Sequence, residues 1–146
     1  MIPFRGWIKV LVFSGQFGAL NIAMRHSASR TNYAAIPCIN VSTCSTTYSV
    51  ALADMDQDGD MDIVVGNAGQ RNAIYFNELK GTNYRRFSFG DATSRTYCLD
   101  VGDLNEDRYP DIITGNSGAH NFVYLNRGEA GKAGEALQRK LLTANR

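Results

Sequence analysis

The chain has 146 residues, the length of one ordinary domain and enough to bury roughly 70% of the surface its unfolded form exposes. Apolar residues at 44% and charged residues at 20% exclude a disordered, collagenous or membrane-bundle composition. A net charge of +1 gives no field that would gather nucleic acid or an anionic membrane, so charge-based chemistry must reside in local clusters.

In chain order, residues 1–30 offer two readings. Arg5 and Lys9 precede the mostly apolar stretch Val10 to Met24, and Ser27, Ala28 and Ser29 follow it, as in a signal peptide. Gln16 and Asn21 interrupt that stretch, and GQFGALN echoes a later GNAGQRN, which favours the remnant of a repeat unit. The stretch is too short and too polar to span a bilayer. Asn40-Val41-Ser42 is a glycosylation acceptor triplet, or else part of a polar linker. Cys38, Cys44 and Cys98 lack the paired spacing of a zinc site. In an exported protein Cys38 and Cys44 close a small loop and leave Cys98 buried in a strand; otherwise all three are small apolar residues.

From Val50 onward the chain repeats. VALADMDQDGDMDIVVGNAGQRNAIYFN aligns without a gap on LDVGDLNEDRYPDIITGNSGAHNFVYLN, which begins at Leu99, an offset of 49. Asp54, Asp58, Asp62, Gly66, Asn67, Gly69, Asn72, Tyr75 and Asn77 fall on Asp103, Asp107, Asp111, Gly115, Asn116, Gly118, Asn121, Tyr124 and Asn126. Thr31-Asn32-Tyr33 is echoed by Thr82-Asn83-Tyr84, so the unit is about fifty residues. Each unit predicts a short apolar strand (Val50 to Ala53; Leu99 to Gly102), an acidic loop, and a β-branched strand (Ile63 to Val65; Ile112 to Thr114). Turns at Asn67-Ala68-Gly69 and Asn116-Ser117-Gly118 lead into strands Ala73 to Phe76 and Phe122 to Leu125, and Arg86 to Phe89 adds a fourth strand. Neither unit contains the helical stretch a βαβ unit needs, so the units read as β-sheet blades.

The first loop, Asp54-Met55-Asp56-Gln57-Asp58-Gly59-Asp60-Met61-Asp62, has an acidic side chain at every odd position. Two like charges about 4 Å apart repel by roughly 4 kcal/mol at an effective dielectric near 20, so converging carboxylates take up protons, splay apart into water, or hold a cation. Hard oxygen ligands favour Ca2+. Asp54, Asp56, Asp58 and Asp62 can turn inward while the carbonyl of Asp60 completes the shell, and Gly59 permits the sharp turn. An EF-hand is excluded because position twelve is Val65 here and Thr114 in the second loop, and the flanks favour strands. The second loop offers Asp103, Asn105, Asp107 and Asp111 with the Tyr109 carbonyl. It should bind more weakly, because Asn105 removes a charge and Arg108 stands where glycine eases a left-handed turn.

These residues resemble the FG-GAP or VCBS repeat family, the blades of integrin alpha subunits and of many secreted proteins, over about Tyr33 to Asn126. The elements that carry the likeness are the DxDxDGDxD loop at Asp54 to Asp62, IVVGNAGQRN and AIYFN, with DIITGNSGAHN and FVYLN as second copies. The resemblance implies an all-β fold, a partial β-propeller of about two complete four-stranded blades with calcium held in loops at one face. The organisation is then residues 1–30 as a degenerate blade remnant or signal peptide, 31–80 as repeat one, 81–128 as repeat two and 129–146 as a tail. The tail is rich in alanine, leucine, glutamate, lysine and arginine and predicts a short helix near Glu135 to Leu142. Two units and a vestige cannot close a ring, so open sheet edges invite self-association or further blades.

The function expected is a calcium-stabilised module, extracellular or at the cell surface, that recognises protein or carbohydrate in an adhesion role, with two structural Ca2+ sites. The alternatives are the propeller part of a secreted hydrolase or lyase, and a fragment of a larger repeat protein. Catalysis is the weaker reading because the two loops consume the distinctively spaced carboxylates, and His26 and His120 sit in no nucleophile motif.

Overall fold

The computed structural model describes residues 11–14, 20–23, 46–78, 83–129 and 134–142, and within these the chain is all-β. Strands β1 (Leu11–Ser14) and β2 (Leu20–Ala23) pair antiparallel as a separate two-stranded sheet. The glycosylation triplet, Cys38 and Cys44 lie outside the described residues.

The remaining strands form two four-stranded antiparallel blades. Blade one runs β3 (Thr46–Ala53), β4 (Asp62–Ala68), β5 (Asn72–Asn77) and β6 (Tyr84–Phe89). Blade two runs β7 (Arg95–Gly102), β8 (Asp111–Ser117), β9 (Phe122–Asn126) and β10 (Leu137–Leu141). The two join at the single bridge from Ala68, at the end of β4, to Arg95, at the start of β7, and the sheet so formed is a partial β-propeller. Every strand expected in the repeats is present. β3 and β7 begin earlier than their apolar runs, because pairing with β4 and β8 extends them through Thr46 and Arg95.

The last strand corrects the helix expected near Glu135 to Leu142: Leu137–Leu141 pairs with Phe122 to Asn126 in register. Helical propensity is worth only tenths of a kcal/mol per residue, and the unpaired N–H and C=O groups along β9 outweigh it. Arg139 anchors the strand by lying 4.7 Å over the Phe122 ring and pairing with Asp91 at 2.6 Å.

The main core lies between the blades, where Met55, Val64, Ile74, Phe76 and Phe89 of blade one meet Ile112 and Tyr124 of blade two. Phe89 and Tyr124 make an edge-on pair with centroids 5.0 Å apart. Two details permit the close approach. Gly66 leaves no Cβ in the way of Thr96 and Leu99, and the Ser49 hydroxyl accepts from the Leu99 N–H at 3.0 Å, joining β3 to β7. The other face of blade one buries Ile63, Val65 and Ala73 beside Val50, Leu52, Tyr75 and Tyr84.

Cys98 corrects a second expectation. It lies in β7 but is exposed and free rather than buried. Its counterpart Ser49 faces blade two, whereas Cys98 faces the outer side of blade two, where no described strand packs.

Candidate metal centre

The acidic loops connect the first and second strands of each blade, β3 to β4 and β7 to β8. Their shapes match. Gln57 and Glu106, at position four, have φ of 61° and 62°, while Gly59 and Arg108, at position six, have φ of 95° and 76°. The left-handed turn expected at Gly59 and Arg108 is therefore present, with a second one two residues earlier that residue type alone does not signal.

In the first loop Asp54, Asp56 and Asp58 converge, each offering one oxygen, with all three oxygens within 4.8 Å of one another. Asp54 Oδ2 accepts the Gly59 N–H at 3.0 Å and Asp58 Oδ1 accepts the Asp60 N–H at 2.8 Å, which holds the loop shut. Asp54 Oδ1 and Asp56 Oδ1 are buried and have no hydrogen-bond partner. Burial pushes the Asp56 carboxyl up, and the neighbouring Asp58 and Asp54 carboxylates push in the same direction. Buried acceptors without donors cost about 1 to 3 kcal/mol each, more when charged, unless a cation or water meets them. The donor set fits a hard divalent ion.

Asp62 has a different setting. Its two oxygens accept the Met55 N–H at 2.8 Å and the Asn77 N–H at 2.9 Å, so it clasps the start of the loop to the end of β5. It is 1% exposed, and that burial pushes its carboxyl up to about 7 against the two hydrogen bonds. Asp111 does the same in the second loop, accepting from Leu104 at 2.9 Å and Asn126 at 2.8 Å. Position nine is thus a backbone clasp in both loops, and in the first the Asp56 and Asp58 carboxylates add to the upward push on Asp62.

The second loop satisfies itself. Asp103 accepts from the Asp107 and Arg108 N–H groups, Asn105 Oδ1 accepts from Asp107 N–H, and Asp107 Oδ1 accepts from Tyr109 N–H at 2.9 Å. The Asn105 Nδ2 donates to Asp107 Oδ2 at 2.9 Å, occupying with a hydrogen bond the space that converging carboxylates leave in the first loop.

Sequence reasoning did not assign the asparagines that the repeat conserves between its copies. Asn126 Nδ2 donates to the Met55 carbonyl at 2.8 Å, tying the first loop to blade two, and its Oδ1 accepts from Gly134 N–H at 2.9 Å. Asn72 and Asn121 brace the turns by accepting the Asn67 and Asn116 N–H groups at 2.9 and 2.7 Å. The alignment itself marked these positions; the partners lie in other strands and only the fold reveals them. His120 is exposed and only its carbonyl is used, accepting from Asn116.

No helix among the described residues is long and apolar enough to cross a membrane. No curated protein and no solved structure matches the chain significantly. Residues 54–114, which run from the first acidic loop into β8, match the family model described as FG-GAP-like repeat. With two acidic loops set between the leading strands of two like blades, this part of the chain is similar to the FG-GAP-like repeat family.

Proposed function

We propose that the chain is a calcium-binding recognition module of the extracellular space or cell surface, in which Ca2+ is structural and the ligand is protein or carbohydrate. The observation that carries this reading is the pair of buried, partnerless oxygens Asp54 Oδ1 and Asp56 Oδ1 facing a third carboxylate at Asp58. An ion there meets both orphan acceptors and cancels the repulsion between the three carboxylates. The Asp60 carbonyl completes the shell, and each Asp62 oxygen keeps a lone pair for the ion beside its backbone hydrogen bond. In the second loop an ion has to displace the Asn105 to Asp107 hydrogen bond, so Asp103, Asn105, Asp107, the Tyr109 carbonyl and Asp111 form the weaker site.

Recognition draws support from Tyr48 and Tyr97, a matched pair at the β-bulges of β3 and β7. Their rings lie 4.6 Å apart and both are about half exposed. Bulges re-aim side chains, and exposed tyrosines supply contact area with a polar tip.

The experiment is thermal melting with chelator and with added Ca2+, on the native chain and on Asp58→Ala and Asp107→Ala. The native protein is expected to melt several degrees higher with Ca2+. Asp58→Ala should remove most of that shift and Asp107→Ala less of it. Melting indifferent to chelator would overturn the reading.

A further inference from the structure

The two acidic loops touch each other. The side-chain amide of Gln57, at position four of the first loop, donates to the carbonyl of Arg108, at position six of the second, at 2.7 Å. That carbonyl shares a peptide unit with the Tyr109 N–H, which donates to Asp107 Oδ1 at 2.9 Å. A peptide unit is planar, so the bond from Gln57 also sets the direction of the N–H that holds Asp107. It does so immediately before the Tyr109 carbonyl, the proposed backbone donor of the second loop.

A second link runs through the interior. The Met55 carbonyl, which shares its peptide unit with the N–H of Asp56, accepts from Asn126 Nδ2 at 2.8 Å. The Asn126 N–H donates to Asp111 Oδ1 at 2.8 Å, and Asp111 Oδ2 accepts the N–H of Leu104, between Asp103 and Asn105, at 2.9 Å. Met55, Asn126 and Asp111 are all fully buried. Water cannot replace a broken bond along this path, so a displacement at Asp56 is carried to Leu104 rather than absorbed. The two links reach the second loop at separate points, Leu104 and Arg108.

The repeat does not build the same links from their counterparts. Glu106, which matches Gln57, ends in a carboxylate that accepts and, when ionised, cannot donate to a carbonyl. Asn77, which matches Asn126, donates from Nδ2 to the Met61 carbonyl of its own blade at 3.3 Å.

We propose that the two loops bind Ca2+ with positive cooperativity, coupled through Gln57 and Asn126. The inference rests on the metal reading above and concerns two positioning residues that are not ligands in it. Drawing Asp54, Asp56 and Asp58 together around an ion cancels their repulsion and holds Met55 and Gln57, which lie between them, in place. The second loop is then ordered at Leu104 and at the peptide between Arg108 and Tyr109 before it meets an ion, so its own binding loses less conformational entropy. By reciprocity, loading the second loop strengthens the first by the same factor.

Calorimetric titration with Ca2+ on the native chain, on Asp58→Ala and on Asp107→Ala tests the coupling. Asp58→Ala reports the second loop alone, and Asp107→Ala the first. The product of the two native association constants is expected to exceed the product of the two single-loop constants about tenfold. Gln57→Met keeps the length of the side chain and loses the donor; repeating the set in that background should lower the ratio about threefold. Asn126→Ala should lower it as well. Gln57 is exposed, so its replacement leaves the core intact whatever Asn126→Ala does to folding. A purely structural role would weaken both loops and leave the ratio unchanged.

Amide hydrogen exchange gives a second readout. In Asp107→Ala, Ca2+ held by the first loop should slow exchange at Leu104 and Arg108 in the second, and Gln57→Met should reduce the effect at Arg108. No heat of binding in the native chain would overturn the metal reading and this inference with it. Two binding steps whose constants equal the single-loop values, a ratio unmoved by Gln57→Met, or second-loop amides indifferent to Ca2+ in the first would overturn the coupling alone.

Discussion

The side-chain amide of Asn126, at the end of β9, donates to the carbonyl of Met55 in the first acidic loop at 2.8 Å, across 71 residues of sequence. The loop that gathers three carboxylates is therefore fastened to the neighbouring blade, and Met55 itself is fully buried between the blades. Asn126→Ala removes this bond and those that its Oδ1 accepts from Gly128 and Gly134. Stability should fall by about 1 to 3 kcal/mol, since buried groups are left unpaired. The same change should weaken Ca2+ binding although Asn126 is not among the converging carboxylates, as calorimetric titration would read.

Arg108 holds φ at 76° where the first loop has Gly59. A left-handed non-glycine residue costs about 1 to 2 kcal/mol, partly offset by the entropy glycine loses on folding. Arg108→Gly is therefore expected to raise the melting temperature modestly and to narrow the affinity gap between the loops. The Gln57 side chain bonds to the Arg108 carbonyl at 2.7 Å, a contact that the substitution leaves in place. Unchanged or lower stability would show that the turn carries no strain.

Asp62 gives a pH dependence with a definite sign. Burial pushes its carboxyl up to about 7 from 3.8, so between these values the folded chain holds a proton that the unfolded chain has released. The contribution is fully present below 3.8 and is lost as pH rises through about 7. In chelator, melting temperature should rise as pH is lowered from about 8 to about 6; with Ca2+ present the ion stabilises the ionised carboxylates, and the trend should flatten or reverse.

Gly66 lies at a close approach of the blades. A Cβ there would stand 2.9 Å from Thr96 Cγ2 and 3.0 Å from Leu99 Cδ2. Overpacking of this kind costs about 1 to 3 kcal/mol. Denaturant unfolding of Gly66→Ala should show a lower midpoint, whereas Gly69→Ala, in open space, should suffer only from its φ of 72°.

What the sequence determined by itself is whatever is encoded locally and written twice. Aligning Asp54 on Asp103 and Asn77 on Asn126 was enough to find the repeat, its β character and the acidic loops, because strand propensity, turn residues and charge crowding act over a few residues. The tertiary structure decided the rest through contacts between distant segments. It made a strand of Leu137–Leu141, since the edge of β9 is invisible to local propensity. It gave Asp62 and Asp111 a further role that their spacing does not show, as acceptors for backbone N–H groups fifteen residues away at Asn77 and Asn126. And it set equivalent residues in unequal surroundings, burying Val64 while leaving Ile113 exposed, because a blade has two faces and only one of them has a neighbour in its own repeat pair.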